Sequence, residues 1–119
     1  MTHKPSERPD ELVVVTKAFD LAREMTQRTR KLPRDLKFVL GDRMLTTTYD
    51  VLDTLLEAKY VRAKKALLQR ANLLLERLRF QVRLCMEEKL MSIRQYEYVS
   101  EMINDVGRMV GVWAKHSQA

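Results

Sequence analysis

Residues 92–113 read SIRQYEYVSEMINDVGRMVGVW, and their spacing decides the fold class. Ser92-Ile93-Arg94-Gln95 has the form of a capping box. In it the serine hydroxyl accepts a free backbone N–H of the first helical turn, and the glutamine side chain accepts the serine's own N–H. Met91, just ahead, can staple the entry of the chain. Tyr96, Val99, Ile103, Val106, Val110 and Trp113 then recur three and four apart, which places them on one face of a helix. Such a seam suits lengthwise packing in an antiparallel bundle. Gly107 and Gly111 lie one turn apart and let another backbone approach closely, within the bundle or between subunits.

The same periodicity continues toward the N-terminus. A third helix carries Leu67, Ala71, Leu74, Leu78 and Cys85 inward, flanked by Leu68, Leu75 and Val82. No breaker separates it from a second helix, and the unbroken stretch from Pro33 to Glu88 is too long a rod for an ordinary domain. A short turn is therefore expected near Lys59–Val61. The second helix opens at Pro33, with Asp35 in its positive first turn. Its inner stripe is read as Phe38, Leu45, Leu52 and Leu55, widened by Met44, Val51 and Leu56. Thr46-Thr47-Thr48 is a poor helical run, but the apolar spacing passes through it. The first helix starts near Asp10 as N-cap and runs to Thr29, with Leu12, Val15, Phe19, Ala22, Thr26 and Thr29 on one face. Pro33 disfavours helix at the residue before it and ends that segment. The expected fold is all-α, an antiparallel up-down-up-down four-helix bundle over residues 10–116, with a flexible N-terminus 1–9 and a flexible C-terminus 117–119.

Composition agrees. A chain of 119 residues supports one domain around a single core. With 45% hydrophobic and 32% charged residues it is globular rather than disordered. Three glycines and three prolines leave few of the turns that a sheet needs. The lone cysteine, Cys85, excludes an internal disulfide and fits a reducing compartment; it continues the inner stripe and reads as a buried small hydrophobe. Met1–Asp10 has no apolar core of a signal peptide, and the longest strictly apolar run is Leu12–Val15, far short of a membrane span. A cytoplasmic protein without membrane attachment is expected.

No catalytic chemistry is legible. His3 and His116 lie near the termini, with no cysteine or carboxylate at ligand spacing. A di-iron bundle needs inward Glu-x-x-His pairs, which are absent. Glycine-rich phosphate loops and nucleophile elbows are absent too. The expectation is a non-enzyme with no cofactor and no metal.

Charge is the informative feature. The net charge is +6, and its placement is uneven. Lys59, Arg62, Lys64, Lys65, Arg70, Arg77, Arg79 and Arg83 face one acid, Glu76, over residues 59–83. That stretch carries +7 and the rest of the chain −1. At 100° per residue Arg62, Lys65, Arg79 and Arg83 fall opposite the apolar face, where they can neutralise phosphates with steep salt dependence. A face that serves solubility alone usually mixes signs. An acidic protein surface could use the same side chains. Arg70 and Arg77 flank the core and are read as structural, in subunit or intrahelical contacts, for instance with acids on the second helix such as Asp53 or Glu57. Phe80, beside the basic face, can stack on a base, although burial between subunits is the favoured reading for so large an apolar group. Met102 and Met109, beside the seam of the last helix, are read as core or subunit packing.

Leu78-Arg79-Phe80-Gln81-Val82-Arg83-Leu84 and Asp105-Val106-Gly107-Arg108-Met109-Val110-Gly111-Val112-Trp113 resemble the accessory variability determinant (Avd) proteins of diversity-generating retroelements. Leu32-Pro33-Arg34 is similar as well, and the likeness runs from about Leu12 to Lys115. The wider group includes four-helix bundles encoded in ribosomal RNA intervening sequences. The resemblance implies a basic, barrel-like homopentamer that binds the retroelement's reverse transcriptase and its template RNA in support of mutagenic copying. By matching position it gives Arg79 and Arg83 the role of partner-binding surface residues; Arg62, Lys64 and Lys65 are candidates on charge alone. The rival readings are a protein-interaction bundle with no RNA contact and an orphan bundle of the intervening-sequence type.

Overall fold

The computed structural model describes residues 9–117. Four long helices, with no strand among the described residues, pack around one apolar core. Helix α1 is Pro9–Arg30, so Asp10 falls inside the helix rather than capping it. A short α2, Arg34–Leu36, passes through one π-helical stretch, Lys37–Gly41, into α3, Asp42–Ala58. Leu36, Gly41 and Asp42 all keep right-handed helical angles, so α2 to α3 is one continuous rod with a local bulge. Pro33 sits just outside it with an extended ψ of 147°, and its carbonyl accepts from Leu36 and Lys37. Helices α4, Lys65–Glu87, and α5, Ile93–Lys115, complete the set. The expected tails lie largely outside the described residues.

The capping box at α5 is present in both halves. Gln95 N–H donates to Ser92 Oγ at 3.1 Å, and Ser92 N–H donates to Gln95 Oε1 at 3.0 Å. Val99, Ile103, Val106, Val110 and Trp113 are buried as spaced. In α4, Leu68, Ala71, Leu74, Leu75, Leu78, Val82 and Cys85 are buried, again on the expected face.

Two inner faces differ from expectation. In α1 the buried stripe is Val14, Ala18, Leu21, Ala22 and Met25, whereas Leu12 and Phe19 are exposed. Both stripes have helical spacing, but the buried one leads through Met25 and Thr29 to Leu32 at the end of the helix. Its alanines also let neighbouring helices come close. In α3 the inner face is Met44, Thr47, Thr48, Val51, Thr54, Leu55 and Ala58, while Phe38 and Leu56 are exposed. Threonines can lie inside because their hydroxyls bond to the helix itself. Thr47 donates to Arg43 O at 2.9 Å and Thr48 to Met44 O at 2.7 Å, which removes the cost of an unpaired buried hydroxyl.

Neighbouring helices meet through named pairs. Thr26 Oγ1 and Tyr49 OH are 2.6 Å apart between α1 and α3. Cys85 Sγ lies 3.5 Å from Met44 Sδ between α4 and α3. Arg79 Nε donates to Asn104 Oδ1 at 3.1 Å between α4 and α5. Helices α1 and α5 also pack together.

Candidate nucleic-acid interface

The turn joining α3 to α4 lies where it is expected, although no glycine or proline marks it. Lys64 builds it. Its ammonium donates to Ala58 O at 2.6 Å and to Val61 O at 2.7 Å, so it caps a carbonyl that α3 leaves free at its negative end and ties it to one in the loop. Burial pushes the Lys64 pKa below its ordinary value, against the opposing pull of the Glu11 carboxyl. Lys64 therefore holds the loop, and the exposed charges at this end are Arg62 and Lys65. Arg62 and Lys64 precede the helix that sequence spacing assigns to them; only Lys65 belongs to α4.

The other two candidates lie toward the far end of α4. Arg79 is half-buried. Besides its bond to Asn104, its Nη1 donates to Glu76 Oε2 at 2.9 Å. Its Nη2 rests on Gly107: a Cβ there would stand 2.7 Å away. Gly107 thus makes room for a side chain of this same bundle, one whose flexible end could shift aside, whereas Gly111 has nothing within 4 Å of a Cβ position. Arg83 is exposed and makes one loose contact, 3.4 Å to Glu87. Lys65 and Arg83 are five full helical turns apart, on the same side and separated by about 27 Å of helix. The five candidates therefore form two groups at the ends of one long stripe, not a single patch.

Arg70 and Arg77 occupy the middle of α4 and are exposed. The expected contacts to Asp53 or Glu57 are not formed; among the described residues no carboxylate lies within 4 Å of either guanidinium. Arg77 instead lines a groove of about 590 Å³ with Arg43, Asp42, Asp50, Phe38 and Gln81. These two exposed cations add to the charge of the outer surface of α4, where the sequence reading gave them a structural role. The signal of that exposure was a second seam on α4: Arg70, Leu73, Arg77, Phe80 and Leu84 alternate three and four apart, and Leu73, Phe80 and Leu84 are all at least half exposed.

Cys85 is fully buried, and burial pushes its thiol up to about 11, consistent with an inert core group. Met102 and Met109 are partly buried against the core. His116 follows α5 at the surface; His3 lies outside the described residues. No described helix is long and apolar enough to cross a membrane.

A family model described as bAvd-like matches residues 12–117 of the chain. No curated protein matches it.

Proposed function

The chain belongs to the bAvd-like family, whose members are non-catalytic accessory proteins of diversity-generating retroelements, and from that premise we propose that it binds the retroelement's reverse transcriptase and template RNA. The observation that carries this reading is the outer surface of α4. Arg62, Lys65 and Arg83, with Arg79 on the flank toward α5 and Arg70 and Arg77 on the flank toward α3, make this surface basic, and its single internal acid, Glu76, is already engaged by Arg79. Lys64 contributes by fixing the loop that presents Arg62 and Lys65. The mechanism is electrostatic and positional: phosphates displace counterions along the stripe, and no bond is made or broken by this chain.

The assembly proposed is an up-down-up-down bundle in the cytoplasm, its folding unit residues 10–116, repeated as a homo-oligomeric ring of five. Support for the antiparallel course comes from the short turns. Helices α3 and α4 pack together across six residues, 59–64, and α4 and α5 across five, 88–92, and turns that short join antiparallel neighbours. Support for the ring comes from apolar side chains left outside the core on α1 and α4, Leu12, Phe19, Leu73 and Phe80. Unlike surfaces on opposite sides of a subunit make the head-to-tail contacts from which rings close. Five copies of a +6 chain carry about +30, enough to steer a polyanion at low salt.

The test is binding of the purified protein to a structured RNA across a salt series, beside the Arg79→Ala, Arg83→Ala double variant. Tight binding that falls steeply with salt and weakens in the variant is expected. Absence of binding at low salt removes RNA from the function and leaves the reverse transcriptase as the partner of this surface. That second reading is favoured by Leu73, Phe80 and Leu84 lying among the arginines, since apolar side chains suit a protein partner better than a phosphate backbone.

A further inference from the structure

The start of α1 and the end of α5 enclose a groove of about 480 Å³, lined by Glu11, Val13, Val14, Arg108, Met109, Val112 and Trp113. Its lining is almost wholly aliphatic and aromatic, and its volume falls in the range of ligand sites. Two polar atoms among its walls have no partner among the described residues. Glu11 is 2% exposed and Trp113 4% exposed, yet there Glu11 Oε2 accepts no hydrogen bond and Trp113 Nε1–H donates none. An acceptor and a donor thus lie unsatisfied in one small region, sealed from water, each at a cost to the folded chain.

We propose that this groove binds an aliphatic peptide segment of a partner protein, whose backbone amide satisfies both groups. An amide offers an N–H for Glu11 and a C=O for Trp113; an ammonium group could serve the carboxyl but leaves the indole donor unpaired. Nucleic acid is a poor occupant, because the lining is apolar. Arg108 is engaged by Asp105 and adds little attraction for an anion. Met109, partly buried and unbranched, is the wall able to rearrange around an entering side chain; Val13 and Val112, about half exposed, form the lips. The groove adds a protein-binding site to the accessory reading and rests on that reading only for whose segment enters.

Trp113 is the chain's single tryptophan, so its fluorescence and its indole N–H resonance report the site directly. The probe is N-acetyl-leucine methylamide, titrated into the full chain. The expected result is a saturable change at Trp113, with the indole proton moving as it gains an acceptor, weakened about tenfold or more by Val112→Asp. Val13→Asp serves as the second block should the first variant lose helix content by circular dichroism. No saturation in the unaltered chain, or equal responses in a folded blocked variant, overturns the assignment. RNA binding is measured on the same samples. A silent groove with RNA binding intact sinks the groove alone, and a saturable groove with no RNA binding sinks the RNA reading alone.

Discussion

Arg79 lies across α5 with Gly107 beneath its guanidinium and Asn104 and Glu76 as acceptors, whereas Arg83 four residues on has one loose, exposed partner. Residues matched to the same family role therefore differ in structural cost. Arg83→Ala is expected to leave stability within about 0.5 kcal/mol of the parent, and Arg79→Ala to lower it by about 1 kcal/mol, as read by urea midpoints; equal costs would show that the packing over Gly107 contributes nothing. Cys85 allows a pH prediction. Its folded pKa, about 11, stands above the ordinary 9.0. Between these values the unfolded chain releases a proton that the folded chain keeps, so this group's contribution is complete below pH 9 and is lost as pH rises toward 11. Cys85→Ala should flatten that part of the alkaline decline. The native thiol should also resist a disulfide reagent at neutral pH until the chain is unfolded.

At the scale of elements, the ends of α4 and α5 show two opposite qualities of local design. Helix α4 ends at Glu87 with Glu88 as its cap, and Lys89 takes the left-handed conformation at φ 61°. Leu90 N–H then reaches Cys85 O at 2.8 Å and Lys89 N–H reaches Met86 O at 3.0 Å, the Schellman pattern that glycine normally serves. Lysine pays a steric cost there, so Lys89→Gly should raise stability by about 1 kcal/mol. A lower melting temperature in that variant would show that the lysine side chain makes a compensating contact. Ser92 is already well chosen, and Ser92→Ala should cost about 1 kcal/mol by removing half of the capping box. The π-helical stretch before α3 turns Phe38 and Val39 outward, both 66% exposed, beside the groove that Arg77 shares. The sequence spacing that put Phe38 inside assumed an unbroken 3.6-residue period, which one inserted residue defeats.

For the whole molecule, the bundle is about 44 Å long and 25 by 20 Å across, with α4 basic and half apolar on its outside. A surface that mixes arginines with Leu73, Phe80 and Leu84 is suited to contact with other protein as well as phosphate. Phe80→Glu should therefore shift the sedimentation coefficient toward that of a single chain while the helix content holds. An unchanged coefficient would place Phe80 outside the subunit contact and leave it available to stack on a base.

The sequence alone determined the all-α class, the α5 start and seam, the α4 core face, the burial of Cys85 and the concentration of charge on one segment. Each of these is local: a capping box, a 3-4 repeat or a charge count needs no knowledge of distant residues. The tertiary structure decided which of two helical stripes on α1 and α3 turned inward, because that choice depends on which neighbours can pack against it. It also decided the fate of individual cations. Lys64 was taken by the carbonyls of Ala58 and Val61, Arg79 was laid over Gly107 on another helix, and Arg70 and Arg77 were left without an ion pair among the described residues. A hydrogen bond between positions 25 residues apart is fixed by the packing of helices, and spacing along one helix cannot foretell it.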